Sequence, residues 1–220
     1  MAQIDLIAVA QRIARRAFVL YENPNAGPCA GFWCGRDISL HGELAVHFLT
    51  INAPGVLSSI APAIPSLSLY TNGIDAKLHM PPATELAALS QSAPKVYALP
   101  HLSMPPPWGL EFVLGNKRPN ERAPASSRIL DTPVTHPDIV DALQRYEQFF
   151  FEHDPLYHHA HSELGDAIAM VGGWHHAWPD EDWETRLEDQ LVITTLARAE
   201  PWIEVFRTRA GDWEVCTRIT

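Results

Sequence analysis

Between His153 and His161 the chain places four imidazoles and a carboxylate in nine positions: His153, His158, His159 and His161, with Asp154 among them. Neutral imidazole is a good ligand for zinc, copper, nickel and iron. His159 and His161 stand two apart, so from an extended segment both side chains project to one side and can grip one ion. Glu163 or Asp166 would complete a His–carboxylate set. The acidic surroundings lower the free energy of a bound divalent metal such as zinc, which would supply a Lewis acid or a bound hydroxide for hydrolysis. Against this, no established metal spacing is present, such as two histidines one helical turn apart around an acid. A polar loop leaving a helix accounts for the same residues.

A second concentration runs through Gly172, Gly173, Trp174, His175, His176, Ala177, Trp178, Pro179, Asp180, Glu181, Asp182 and Trp183. Tryptophan combines a large apolar face with one N–H donor and suits half-wet recognition surfaces. Paired glycines let a backbone turn through positive φ or approach a ligand closely. Trp174, His175, His176, Trp178, Asp180, Glu181, Asp182 and Trp183 therefore form a candidate binding loop with aromatic walls and acidic lips, suited to a cationic partner. The competing expectation is that the indoles anchor a long connection to the core and the acids are merely solvated.

Other chemistry-bearing residues carry less. Cys29 and Cys34 are separated by four residues rather than the two of redox or zinc motifs, and Cys216 is distant, so buried, inert thiols are expected. His47 interrupts an apolar run and is expected to be a hydrogen-bonded core histidine. Glu200, Glu204 and Glu214 are expected to face solvent from terminal strands. The chain has no phosphate-cradling glycine loop ending in Lys-Ser/Thr, no dinucleotide-binding glycine fingerprint, no nucleophile elbow and no kinase signature. Nucleotide-driven and serine-hydrolase chemistry are thereby disfavoured.

Charge sharpens the choice of partner. The net charge is −10. Residues 1–130 hold 10 Lys+Arg against 8 Asp+Glu, net +2, whereas residues 131–220 hold 6 against 18, net −12. Such a surface repels phosphate backbones, which excludes nucleic acid as the expected partner. It instead favours a basic protein, whose association it would steer. Three cysteines give no disulfide framework and point to a reducing, cytoplasmic location. Neither a signal peptide nor a membrane-spanning run is evident, so no membrane partner is expected. A homodimer is compatible with an apolar sheet edge covered by symmetry. The leading expectation is a non-catalytic acidic protein-binding protein, with a metal-dependent, hydrolase-like enzyme as the alternative.

These groups must be positioned by a fold, and 220 residues at 46% hydrophobic content suffice for a substantial core. Leu6, Val9, Ala10, Ile13, Ala17, Leu20 and Tyr21 recur at helical spacing and predict a helix over 5–21, with Asp5 as its N-cap. A second helix is expected over 137–152, opened by Pro137, and a short one over 84–90. Strands are expected at 44–51, 66–71, 96–99, 108–114 and 190–196, with a hairpin formed by 202–208 and 213–219. Proline-rich stretches connect them, and 115–128 is the best internal loop or linker. No internal repeat is evident. Together these elements predict a single α+β domain over 1–220: a mainly antiparallel sheet, two principal helices and a C-terminal β-hairpin.

Overall fold

The computed structural model describes residues 4–34, 38–40, 43–72, 75–114, 136–154, 163–174, 190–195 and 202–218. Among these, eleven strands are joined in one antiparallel sheet: β1 (Arg15–Tyr21), β2 (Cys29–Trp33), β3 (Ile38–Leu40), β4 (Glu43–Ile51), β5 (Leu67–Thr71), β6 (Ala76–His79), β7 (Lys95–Ser103), β8 (Ala169–Gly172), β9 (Gln190–Thr195), β10 (Trp202–Arg207) and β11 (Trp213–Arg218). The helices are α1 (Leu6–Arg12), α2 (Pro54–Leu57), α3 (Ala83–Ser92), α4 (Pro107–Val113) and α5 (Pro137–His153). Ten strands run in the order β11-β10-β9-β8-β1-β7-β2-β4-β5-β6, and β3 pairs with β4 off that path. The free edges of β11 and β6 lie beside each other, so the sheet curls almost into a barrel.

The mainly antiparallel sheet, the α5 helix and the C-terminal hairpin agree with the sequence reading. Two elements do not. The helix expected over 5–21 stops at Arg12, and Arg15–Tyr21 is a central strand paired with both β7 and β8. Ala17, Val19 and Tyr21 pack on one side of the sheet while Phe18 and Leu20 pack on the other. A strand buried on both faces reads as an unbroken apolar run, and such a run also fits a helical stripe. Residues 108–114 were expected to be a strand but form α4: Leu110 and Leu114, one turn apart, are both buried against α1 and α5. The two-principal-helix picture is corrected accordingly. The linker expected at 115–128 lies outside the described residues.

Strand β7 runs past the expected 96–99 and through Pro100. The amide of Ala98 donates to Pro28 O, so the nitrogen of Pro100, two residues on, faces the same way. Strand β2 pairs only with residues 95–97 of β7, so no strand there requires the missing N–H.

The interior of the curled sheet is filled by side chains from both halves, including Leu20, Leu49, Ile51, Leu67, Leu69, Val96, Val171, Ile193 and Val205. Val56, Leu57, Ile60 and Ala61, in and after α2, join this cluster. A separate core forms where α1, α4 and α5 meet, with Leu6, Ile139, Leu143, Tyr146 and Phe150 buried. The Tyr146 hydroxyl donates to Pro105 O and so ties α5 to the exit of β7.

The sheet contains a repeat that the residue order conceals. Four strands in chain order lie on each side of the β1–β7 pair: β2, β4, β5, β6 and β8, β9, β10, β11. Their registers coincide. In one half Thr50 faces Ser68, Leu49 faces Leu69, and a shift then brings His47 opposite Tyr70. In the other Thr194 faces Glu204, Ile193 faces Val205, and the same shift brings Leu191 opposite Phe206. The extra residue is Phe48 in β4 and Val192 in β9, and each joins the interior cluster beside its neighbour, as a β-bulge allows. Trp33 faces Leu49 as Val171 faces Ile193. The next residues, Cys34 and Gly172, both take positive φ, 44° and 76°.

Among the described residues Cys34 is the only non-glycine with positive φ. A Cβ is strained there, and the equivalent position in the other half uses glycine. Cys34→Gly is expected to raise stability by about 0.5 kcal/mol or more, since relief of strain outweighs the added freedom of the unfolded chain. Chemical denaturation of both proteins measures it; a lower midpoint in the variant would show that the conformation carries no strain.

Candidate functional site

Of the four candidate metal-ligating histidines and the eight candidate binding-loop residues, the structure describes His153 and Trp174. His153 ends α5, is exposed, stacks on Phe149 with ring centroids 4.2 Å apart, and has Nδ1 2.8 Å from Phe149 O. With Nδ1 donating there, it caps a helix C-terminus, a favourable place for a ring N–H. Among the described residues no three His, Cys, Asp or Glu side chains gather closely enough to hold a metal ion. His158, His159 and His161 lie outside the described residues.

Trp174 is an anchor rather than an exposed aromatic wall, which corrects its place in the candidate binding loop. It is 5% exposed and packs on Ile13, Trp108 and Val113. Its indole Nε1 donates to Ile13 O at 3.1 Å, and its backbone N donates to Ser103 Oγ at 3.0 Å. The Arg15 guanidinium lies 3.7 Å from the ring centroid, and burial lowers its pKa. Gly172 and Gly173, both at positive φ, turn the chain into this position. His175, His176, Trp178, Asp180, Glu181, Asp182 and Trp183 lie outside the described residues.

Two further expectations are corrected. Glu204 is 0% exposed, because it lies on the packed outer face of β10 with Phe206 rather than toward water. Glu214 is exposed as expected, and Glu200 lies outside the described residues. None of the three thiols is in a disulfide and none is buried: Cys29 and Cys34 are exposed and Cys216 half-buried. Desolvation around the Cys34 sulfur and the nearby Glu22 carboxylate both push that thiol's pKa up.

The most developed cluster of titratable groups lies on the outer face of β4, β5 and β6. The bulge at Phe48 turns His47 and Thr50 to the same side, and His47 Nε2 sits 2.7 Å from Thr50 Oγ1. Thr50 Oγ1 continues to Ser68 Oγ at 2.6 Å. Beside them Tyr70 donates its hydroxyl to Glu85 Oε1, and Glu85 Oε2 accepts from His79 Nε2 at 3.1 Å. The His47 and Tyr70 rings meet edge to face, with centroids 5.2 Å apart. His47 and Tyr70 are fully buried, while the side chains of His79 and Glu85 are 30% and 19% exposed. The network therefore runs from the core toward the surface.

Burial drives the His47 imidazole down to about 4, with the Glu85 charge pulling weakly the other way. Burial, then the bond to Glu85, pushes the Tyr70 phenol well above its ordinary range. Both groups are thus neutral across the physiological range, and the Glu85 side chain is held by two donors. His47 is the hydrogen-bonded core histidine the sequence suggested; Tyr70, His79 and Glu85 were not anticipated. The only signal was polar residues at alternate positions of β5 and β6, Ser68 and Tyr70 on one and Lys77 and His79 on the other, with none for Glu85 on α3.

No family model, curated protein or solved structure matches this chain. The fold and site define it as a mainly antiparallel, almost closed sheet with peripheral helices and a buried Tyr–Glu–His network. Among the described residues no helix is long and apolar enough to cross a membrane.

Proposed function

We propose that this is a non-catalytic protein that binds a basic protein partner through the acidic surface of its C-terminal portion. The observation that carries the reading is charge segregation, net −12 over residues 131–220. Within that stretch Asp138, Asp141, Glu147 and Glu152 are exposed on α5, against Arg145 as its one arginine or lysine. Electrostatic complementarity of this kind raises association rates and selects partners by sign. Residues 175–183, with two further tryptophans and three acids, extend the same character in sequence. The filled sheet interior supports binding at the surface over chemistry in a central cavity. Three cysteines outside any disulfide fit a reducing cytoplasm. The metal-dependent alternative keeps the histidines of 153–161 with His175 and His176, of which only His153 lies among the described residues.

The test is retention of a partner from native cell extract at about 50 mM salt and its release at about 500 mM, where screening shortens the reach of exposed charge. Replacing Asp138, Asp141, Glu147 and Glu152 together by lysine is expected to weaken the retained interaction about tenfold or more. Unchanged retention by that variant, or none at low salt by the parent, removes the reading. Sedimentation of the parent alone separates a homodimer from a complex with another protein.

A further inference from the structure

The two halves of the sheet give an internal control for the His47–Tyr70–Glu85–His79 network. At equivalent register positions the second half has Leu191 for His47, Phe206 for Tyr70 and Cys216 for His79. The same strand pairing, with the same bulge, is therefore built without a phenol or an imidazole. The fold does not need those donors, and the first half uses them to hold a carboxylate.

That carboxylate arrives on a lightly attached helix. Of α3, only Leu89 is fully buried; Thr84, Ala87, Ser90, Gln91 and Ser92 are exposed. The Ser90 and Ser92 hydroxyls bond back to Ala87 O and Ala88 O of their own helix. Among the described residues, the Glu85 side chain alone carries α3's side-chain hydrogen bonds to the sheet, one oxygen to Tyr70 and the other to His79. Pro81-Pro82 and Pro94 flank the helix, so its movement would be concentrated at two stiff joints.

We propose that Tyr70 and His79 form a carboxylate-binding site that α3 occupies through Glu85, and that an external carboxylate competes for the same two donors and releases α3 as a strap. The site lies in residues 1–130, which carry net +2, and is separate from the basic-partner surface. Lys77, opposite Tyr70 on β6, adds a positive charge beside it. The ligand is a carboxylate borne either by a small acid or by an acidic side chain of a peptide.

Hydrogen exchange and histidine-ring NMR on the whole chain at pH 7 test this, comparing sodium acetate with sodium chloride at equal ionic strength. In the parent, acetate is expected to lower amide protection over 86–93 severalfold while β1 and β7 stay unchanged. Glu85→Ala is expected to lower that protection about tenfold without acetate, since both hydrogen bonds from α3 to the sheet through this side chain are lost. Acetate should then shift the His79 ring signals at a concentration about tenfold below that needed in the parent, and Tyr70→Phe in the Glu85→Ala background should abolish the gain. A short alanine peptide with one glutamate, run beside acetate, separates the two sources: tighter binding of the peptide assigns an acidic segment, equal or weaker binding a small acid. Unchanged α3 protection in Glu85→Ala overturns the strap. Absence of any acetate or peptide effect, in the parent and the variant alike, overturns the site. The parent arms need no variant to fold, and a Glu85→Gln variant repeats the comparison with the side-chain volume kept.

Discussion

Acidification from pH 6.5 to 4 is expected to cost the protein about 3 kcal/mol through His47 alone. Its imidazole is fully buried, has Nε2 2.7 Å from Thr50 Oγ1, and has its pKa lowered from 6.5 to about 4. The unfolded chain binds a proton at this residue below pH 6.5, and the folded chain does so only near pH 4. Between those values the unfolded state carries more protons, so stability rises with pH and is lost on acidification. His47→Leu, the residue its counterpart Leu191 already supplies, removes the titration. Thr50 keeps its bond to Ser68, so the variant is expected to lie within ~1 kcal/mol of the parent at pH 7 and ~2 kcal/mol above it at pH 4.5. Urea unfolding at a series of pH values measures this, and parallel stability profiles for the two proteins would refute the assignment.

The largest single loss is expected from Gly31→Ala. A Cβ at Gly31 would stand 1.8 Å from Thr50 O and 2.8 Å from Thr50 C. Both atoms are backbone, so neither can rotate away. Gly31 faces Ile51 on β4 and Val96 on β7, so β2 has a strand on each side and cannot retreat. The cost is expected to be at least ~3 kcal/mol, seen as a fall of about 10 °C in thermal midpoint. Gly55→Ala is the control: nothing lies within 4 Å of its added Cβ, and the position is in α2, so stability should stay level or rise slightly. Equal midpoints for the two variants would mean that β2 and β4 are not held at the separation described.

Both predictions bear on one strand pairing. Thr50 presents its carbonyl toward Gly31 and its hydroxyl to His47 and Ser68. Displacing β2 would therefore disturb the polar row from behind, and Gly31→Ala should also alter the His79 ring signals. The acid response and the strap are distinct properties of that row: the first follows from burial of His47, the second from the two donors that hold Glu85.

The sequence by itself determined the elements whose signal is local. Helix α5 has a proline in its first turn and one apolar face; β4 and β9 are long apolar runs; β10 and β11 flank a turn at Arg209–Gly211. It also determined the charge segregation on which the proposed partner rests. It did not distinguish β1 from the continuation of α1, because Ala17–Tyr21 is apolar throughout and only pairing with β7 and β8 makes it a strand. Nor did it show that Trp174 is covered by Arg15, Ile13 and Trp108, which come from elsewhere in the chain. His47, Tyr70, His79 and Glu85 belong to four separate elements, and their meeting depends on strand register, a one-residue bulge and the return of α3 over the sheet. The repeat is likewise a property of register, visible when Leu191 and Phe206 are set against His47 and Tyr70. Local propensity and charge act through near neighbours, and the sequence states them directly; register couples residues far apart in the chain, and only the assembled sheet decides it.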